Sequence, residues 1–266
     1  MANYSKTMPL LLSLTRREIT GRYRGSAFGL LWSLLTPLFM LAVYTFVFGF
    51  VMKSRWSVPS ATNTEHSMAE FSVVLFSGLI VFQVFSEVLS TAPSLVLNNR
   101  NYVKKIVFPI HILPAISVGA ALFHACVSLL VLLCFAGFVF GGIHLTVILA
   151  PVVIAPMAVM VLGVAWMLAA VGVYFRDIGL IVPPVLTATL FLSPVLFPRT
   201  ALPVGLQPYL SLNPLAVPVE SFRNVVIFGV QPNWTALGSY LLVSILVAVL
   251  GYQFFQTTRR GFADVL

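Results

Sequence analysis

A stripe of polar side chains interrupts one of the apolar stretches of the sequence. Gln83, Glu87, Ser90 and Ser94 follow one another at spacings of four, three and four residues, which places them on one face of a helix. Glu87 is the only acidic residue inside an apolar stretch, and a charged side chain that faces lipid costs about 2.5 to 3.5 kcal/mol on insertion scales. We therefore expect the stripe to face the protein interior or a water-filled path, either as part of a transport path or gate or as a structural contact.

His124 is the only histidine in the middle of an apolar stretch, where an ionisable side chain is a functional candidate. It shares a helix face with Ser117 and Ser128, so it is a candidate for a hydrogen bond between helices or for a proton relay. A further polar face, which could lie opposite the stripe, occurs earlier in the chain. The candidate path residues on the two faces are Ser33, Thr36, Tyr44, Gln83, Glu87 and Ser90.

A short polar interruption at residues 98–107 separates two long apolar stretches. Its polar residues are Asn98, Asn99, Arg100, Asn101, Tyr102, Lys104 and Lys105. Three cations and three asparagines cannot lie in hydrocarbon, so the segment must face water, lipid headgroups or another protein. We interpret it as a docking surface.

Motifs for independent chemistry are missing from the sequence. It contains no Gly-rich phosphate loop ending in Lys-Ser/Thr, no HExxH, no paired Cys or His ligands and no nucleophile elbow. Cys126 and Cys134 would lie about 12 Å apart along one helix, which is too far for a disulfide, and we expect both thiols to be buried and inert. We therefore expect no enzymatic activity, cofactor or metal in this chain.

The composition determines the broad class. Hydrophobic residues make up 59% of the 266 residues and charged residues only 8%, which leaves too little polar surface for a soluble globular protein. The sequence therefore predicts an integral membrane protein. The formal net charge of +8 comes from cations between the apolar stretches, so it indicates membrane topology and no nucleic-acid partner.

We predict an all-α protein with one transmembrane domain, residues 1–266, and six transmembrane helices. The spans are predicted at about 25–52, 71–97, 108–140, 146–174, 178–198 and 234–258, because about 20 apolar residues cross a bilayer. Pro37 is expected to kink the first span, and Gly25 and Gly29 would permit close helix packing at its start. Pro183, Pro184 and Pro194 indicate breaks in the fifth.

Two segments outside the spans are also predicted to be helical. Residues 8–24 form an amphipathic interface helix, whose basic residues face anionic headgroups, or else a frayed cytosolic tail. The basic residues are Arg16, Arg17, Arg22 and Arg24. Residues 199–232 are rich in proline and are expected to form two short re-entrant helices in the outer leaflet, with a helix start at Asn213-Pro214 and a stop at Gly229.

Six spans place both termini on one side of the membrane. Eleven cations then fall on that side and four on the other, so the positive-inside rule places both termini and residues 98–107 in the cytoplasm. The eleven are Lys6, Arg16, Arg17, Arg22, Arg24, Arg100, Lys104, Lys105, Arg176, Arg259 and Arg260, and the four are Lys53, Arg55, Arg199 and Arg223.

Four segments carry a resemblance to a known family. They are LTRREITGRYRGSAFGLLW at 14–32, NNRNYVKKIVFP at 98–109, YFRDI at 174–178, and LNPL at 212–215 with Glu220 and Arg223 after it. In this order they resemble the permease subunits of ABC exporters for O-antigen and related lipid-linked polysaccharides, the Wzm-type family. Exporters of teichoic acid and capsule share much of the pattern.

The resemblance implies a homodimer in the bacterial inner membrane, assembled with two copies of a cytoplasmic ATPase that binds ATP and Mg. It implies that residues 98–105 dock the ATPase and that Arg16–Arg24 lies near it along the membrane. The cargo would be undecaprenyl-diphosphate-linked polysaccharide, moved from cytoplasm to periplasm. The outer gate would include Pro214, Glu220, Phe222 and Arg223. Alternatives are a drug or small-lipid exporter of the same fold and, further off, a secondary carrier or a membrane glycosyltransferase.

Overall fold

The computed structural model describes residues 4–47, 68–100, 108–199, 203, 205, 207–210 and 212–265. These residues form an all-helical protein without strands among them. The helices are α1 Tyr4–Arg22, α2 Trp32–Tyr44, α3 Met68–Asn98, α4 Leu113–Phe140, α5 Ala150–Tyr174, α6 Ile178–Phe191, α7 Gln207–Leu210, α8 Ala216–Val226, α9 Trp234–Thr258 and α10 Phe262–Val265.

Within the described part of the chain, five helical segments are long and apolar enough to cross a membrane. They are Gly29–Val47, Ala69–Asn98, Ile110–Phe140, Leu145–Tyr174 and Trp234–Gly261. The first, third and fourth begin with a short 3-10 turn. These segments agree with the predicted first, second, third, fourth and sixth spans.

The fifth predicted span differs from the helix that forms. Helix α6 continues through Pro183 and Pro184 but ends at Phe191 after 14 residues, whereas the predicted span continued to residue 198. At about 1.5 Å per residue this helix is about 21 Å long, shorter than the roughly 30 Å of bilayer hydrocarbon. The total of six spans stays a prediction.

Helix α3 lies at the centre of the bundle. Of the 18 most apolar consecutive residues of α3, 72% are buried, against 22% for α9. Helix α3 contacts α4, α5, α6 and α8. Val73, Val74, Val81 and Val84 are fully buried in this core. Glu87 of the polar stripe on the same helix lies on the side of α3 that faces α1 and α4.

Glycines bring α5 and α9 into close contact. A Cβ added at Gly163 would lie 2.7 Å from backbone atoms of Ala248, and one at Gly251 would overlap the carbonyl oxygen of Gly163. The predicted role of Gly25 and Gly29 in close packing is not seen in the described chain. Both have positive φ, +86° and +50°, with no atom within 4 Å of an added Cβ, so they form the turn from α1 to α2.

The exposure of the two cysteines differs from the prediction. Cys126 and Cys134 are unpaired, as predicted, but both are exposed on the outer surface of α4 instead of buried. Helix α4 is apolar on every side, so its sequence pattern does not indicate which face packs inward. The outward thiols lie on the surface that α4 presents to the bilayer or to a neighbouring chain.

The described part of the proline-rich segment contains two short helices, α7 and α8, and their re-entry into the outer leaflet stays a prediction. Asn213 Oδ1 accepts a hydrogen bond from the Leu215 amide at 2.9 Å, although the helix begins at Ala216, slightly later than predicted. Gly229 follows the helix with φ +68°, as a helix stop requires. Thr146 Oγ1 donates to the Val225 carbonyl at 2.6 Å, so this segment lies at the same end of the bundle as the α4–α5 loop.

Candidate functional site

Four side chains from three helices meet beside the stripe of α3, and we call them the polar cluster: Arg22, Tyr23, Glu87 and His124. Glu87 Oε1 lies 2.9 Å from His124 Nδ1 and 2.8 Å from Arg22 Nη1. The Tyr23 hydroxyl lies 3.2 Å from His124 Nε2. The expected hydrogen bond of His124 to another helix is confirmed, and its partner is the acid of the stripe.

The contacts determine which ring nitrogen of His124 is protonated. A carboxylate only accepts hydrogen bonds, so Nδ1 carries a hydrogen and donates it to Glu87. Nε2 of a neutral ring then accepts from the Tyr23 hydroxyl. Arg22 Nη1 is also 3.2 Å from His124 Nδ1, but two donors cannot bond each other, so Arg22 donates to Glu87 alone.

Helix α1 places Arg22 farther from the end of the bundle than the sequence predicted. Glu87 lies eleven residues before the end of α3 at Asn98, which is about 16 Å along the helix at about 1.5 Å per residue. Arg22, expected at the headgroups, instead lies beside the middle part of α3. Burial raises the pKa of the neighbouring Tyr23, and the charge of Arg22 opposes this shift, so the tyrosine stays a hydrogen-bond donor.

A cavity of about 430 Å³ lies next to the polar cluster. It contains four of the predicted path residues, Ser33, Thr36, Tyr44 and Gln83. The structure thus brings the polar face of α2 opposite the stripe of α3. The remaining lining residues are Arg22, Tyr23, Pro37, Met40, Phe76, Leu79, Phe82, Ser86, His124, Ser128 and Leu190.

The other two candidate path residues lie beyond the lining of this cavity. Glu87 forms part of the polar cluster, with 11% of its side chain exposed. Ser90 is exposed, and its hydroxyl donates to the Glu87 carbonyl at 3.1 Å. Along the stripe, Gln83 therefore lines the cavity, Glu87 bonds to other helices and Ser90 faces outward.

A larger cavity of about 680 Å³ lies between α1 and the facing ends of α3 and α4. Arg17, Arg24, Asn99 and Ser117 supply its polar walls, together with Glu18. Arg16, Arg17 and Arg24 are exposed. Their predicted contact with anionic headgroups stays a prediction, and α1 supports it by forming a helix over most of the predicted range.

The predicted docking segment begins at Asn98, the last residue of α3. Asn99 Nδ2 donates to the Leu95 carbonyl at 2.9 Å, and Asn98 Nδ2 to Ser94 Oγ at 3.3 Å. Arg100 shares a small cavity with Arg176, which places these two cations at the same end of the bundle. Asn101, Tyr102, Lys104 and Lys105 lie outside the described residues, and docking stays a prediction.

Arg223 was predicted at the outer gate and lies in the interior of the chain. It is 3% exposed. Its Nε donates to the Val74 carbonyl at 3.1 Å, its Nη2 to the Val195 carbonyl at 2.6 Å, and its Nη1 to the Pro194 carbonyl. Burial lowers the pKa of Arg223 to about 9, and the charge of Glu220 opposes this. Arg223 therefore joins α8 to α3 and to the turn after α6.

The other outer-gate candidates surround this arginine. Phe222 is fully buried, and the Pro214 carbonyl accepts a hydrogen bond from the Tyr240 hydroxyl at 2.9 Å. Glu220 Oε2 lies 3.9 Å from Arg199 Nη1, and both side chains are partly exposed. Their role in gating stays a prediction.

Sequence reasoning missed the pairing of Arg22 with Glu87 and the contribution of Tyr23. The signal was present in the charge pattern, because a lone acid inside an apolar stretch needs a cation. Arg22 was grouped with the neighbouring surface cations, and its partner belongs to another helix. Nothing in the local pattern distinguished Arg22 from Arg16 or Arg24.

Comparison with known proteins shows similarity over nearly the whole chain. The profile of the ABC-2 type transporter family matches residues 9–228. The chain is 30% identical over 258 residues to the O-antigen export system permease protein RfbA of Myxococcus xanthus, covering 96% of this chain and 94% of that protein. It is 24% identical over 273 residues to the RfbA protein of Klebsiella pneumoniae, covering 99% and 97%.

A relative named for a different cargo is also similar. The polysialic acid transport protein KpsM of Escherichia coli is 26% identical over 255 residues, covering 94% of this chain and 93% of that protein. The residues matched by the family profile include the polar cluster, both cavities and α8.

Proposed function

The chain belongs to the ABC-2 type transporter family, and from this membership we propose that it is the permease of an ATP-driven exporter of lipid-linked polysaccharide. The observation that carries the proposal is the cavity between α2 and α3. It gathers Ser33, Thr36, Tyr44 and Gln83 within helices that are otherwise apolar. Hydroxyl and amide groups beside aromatic rings suit a passage for sugars.

In this proposal, ATP is hydrolysed by a separate ATPase protein. The sequence has no phosphate-binding loop, so ATP and Mg bind to two cytoplasmic ATPase subunits, and this chain acts as a homodimer without a cofactor of its own. The docking segment Asn98–Lys105 receives the ATPases. Asn98, its first residue, is the last residue of α3, so a push on the segment would act on the end of the central helix.

The polar cluster provides a second connection between the ATPase side and the cavity. Arg22 is the last residue of α1 and Tyr23 follows it; α1 lies near the ATPase in the proposal, and both side chains line the cavity. Their bonds to Glu87 and His124 link a movement of α1 to α3 and α4. ATP-driven closure of the two ATPases would thus reach the cavity wall through α1 as well as α3.

In this proposal the cargo moves from the cytoplasm outward, and the distribution of cations supports that direction. Both termini and the docking segment lie in the cytoplasm, and the undecaprenyl-diphosphate head of the cargo approaches Arg16, Arg17 and Arg24. The glycan leaves at the end formed by the α4–α5 loop and α8. There Arg223 holds α8 against α3, so Pro214, Glu220 and Phe222 belong to a fixed outer wall of the gate.

Charge reversal in the docking segment tests the proposal. Replacing Arg100, Lys104 and Lys105 by Glu is expected to abolish co-purification of the ATPase and export of surface polysaccharide. The matched control reverses Lys53 and Arg55, which lie on the outer side in the predicted topology and should leave both readouts unchanged. Normal co-purification and normal surface polysaccharide in the docking variant would refute the assignment.

A capsular cargo is the second candidate, because the similarity extends to a polysialic acid transport protein. The two cargoes are separated by the glycan that accumulates inside cells when the gene is deleted. Accumulation of a diphosphate-linked O-antigen supports the first candidate. Accumulation of an acidic capsular glycan supports the second.

A further inference from the structure

One serine hydroxyl at the cavity between α2 and α3 lacks the hydrogen bond to a backbone carbonyl that other serines near this cavity make. Ser77 and Ser86 donate to the carbonyl three residues earlier, at 2.6 and 3.2 Å. Ser33, across the cavity, does the same at 2.7 Å. Ser128 lines the same cavity and is 1% exposed, but its hydroxyl has no hydrogen-bond partner in the part of the chain that the structure describes.

A buried hydroxyl without a partner carries a free-energy cost, which a ligand that bonds to it removes. The surrounding groups indicate the chemistry of such a ligand. Gln83 supplies an amide and Thr36 a hydroxyl, while Phe76, Phe82 and Tyr44 supply ring surfaces. A volume of about 430 Å³ falls within the range of about 300–1,000 Å³ typical of small-molecule sites.

The arginine at the cavity is already paired. Among the described lining residues Arg22 carries a fixed positive charge, and Glu87 pairs with it at 2.8 Å. His124, also in the lining, donates a hydrogen bond to the same carboxylate at 2.9 Å. An acidic ligand would therefore enter a site whose cation is already occupied, and burying its carboxylate there would be costly.

We infer that this cavity is a binding site for an uncharged sugar ring, with Ser128 as one of its hydrogen-bonding groups and Arg22, paired with Glu87 behind the lining, in its wall. The inference deepens the proposed function by naming the part of the cargo that the site takes. Hydroxyl groups of the ring bond to Ser128, Thr36 and Gln83, while its apolar face packs on an aromatic side chain.

The test measures sugar binding to the purified chain in lipid nanodiscs free of sugar-headed lipids and detergents. Saturation-transfer NMR compares the methyl glycosides of glucose, galactose and mannose with the corresponding methyl uronates. At least one neutral glycoside is expected to bind, and its uronate should bind tenfold more weakly or worse. Absence of binding by all neutral glycosides, or equal binding of uronates, overturns the inference.

Ser128→Ala distinguishes a binding group from a structural one. It removes an unpaired hydroxyl, so the melting temperature is expected to stay the same or rise. Glycoside affinity should fall about threefold to tenfold, the effect of one lost hydrogen bond. Unchanged affinity in this variant overturns the role of Ser128.

Ser244→Ala is the matched control. Ser244 is fully buried in α9, outside the cavity lining, and its hydroxyl donates to the Tyr240 carbonyl at 2.7 Å. This variant is expected to lose some stability and no glycoside affinity. Because the assay contains no ATPase and no lipid-linked cargo, the docking variant should bind glycosides like wild type, so a failure of sugar binding is distinguishable from a failure of the export proposal.

Discussion

Arg22 Nη1 lies 2.8 Å from Glu87 Oε1, and this ion pair joins the last residue of α1 to the middle of the central helix α3. The carboxylate is mostly buried and also accepts from His124 on α4. A helix expected at the membrane surface is therefore bonded to two helices of the membrane bundle. Any force on α1 acts directly on the residues that line the cavity.

The first prediction concerns the strength of this pair. In a double-mutant cycle with Arg22→Gln and Glu87→Gln, we expect a coupling free energy of about 1.5–3 kcal/mol, the range for a hydrogen bond to a charged group. The value should fall at the lower end because 45% of the Arg22 side chain is exposed. Unfolding in mixed micelles measures it, and additive effects of the two changes would contradict the pairing.

Both ends of α9 could be predicted from the residues next to them in the sequence. The predicted span 234–258 has the same bounds as the helix, because both boundaries are visible in the sequence. Asn233 accepts a hydrogen bond from the Ala236 amide at 3.2 Å, which is the cap that its side chain suggests. Arg259 and Arg260 end the apolar stretch at the other boundary.

Helix α6 shows where local signals fail. Its sequence is apolar to residue 198, but the helix ends at Phe191 and a turn follows. The carbonyls of Pro194 and Val195 in that turn accept hydrogen bonds from Arg223, far along the chain. The same limit applies to Arg22 and Glu87, since the pattern of each helix lacks information about its partner.

The second prediction concerns Arg223. Replacing it by Met removes the donor of three carbonyls and leaves them buried, so we expect a loss of about 3–5 kcal/mol or failure to fold. Arg223→Lys keeps the charge but cannot form the planar set of bonds, and we expect it to be nearly as damaging. Expression level and melting temperature of the purified chain measure the effect.

Arg199→Lys is the comparison for this arginine. Arg199 lies 3.9 Å from Glu220 and donates to the Gln207 carbonyl at 3.3 Å. Its side chain is more than a third exposed, so the change should cost at most about 1 kcal/mol. A stability of Arg223→Met equal to that of Arg199→Lys would contradict the role of Arg223 in joining α8 to α3.

The third prediction concerns the close packing of α5 and α9. Gly163→Ala and Gly251→Ala each place a Cβ against backbone atoms of the other helix, so each is expected to cost about 1–3 kcal/mol by forcing the helices apart. Gly238→Ala on α9 is the control, because no atom lies within 4 Å of its added Cβ. It should raise stability by up to about 1 kcal/mol. Equal melting temperatures for all three variants would contradict the packing.

The fourth prediction tests the orientation of the bundle with single cysteines. Cys126 and Cys134 are exposed on α4, so both are first replaced by Ala to give a background without thiols. Thr257→Cys lies at the exposed end of α9, and Gly142→Cys lies in the exposed α4–α5 loop. A membrane-impermeant maleimide should modify Gly142→Cys in intact spheroplasts and Thr257→Cys only in inverted vesicles.

The fold and the distribution of cations together indicate which end of the bundle faces the cytoplasm. Arg100 and Arg176 share one end of the bundle, and the Tyr174 hydroxyl bonds to the Thr258 carbonyl at 3.1 Å, so Thr257 belongs to the cationic end. Gly142 belongs to the opposite end, with α8. Because cytoplasmic loops carry the excess of Lys and Arg, the cationic end faces the cytoplasm. Labelling of Thr257→Cys from outside the cell would invert the topology and place the docking segment beyond the reach of any cytoplasmic ATPase.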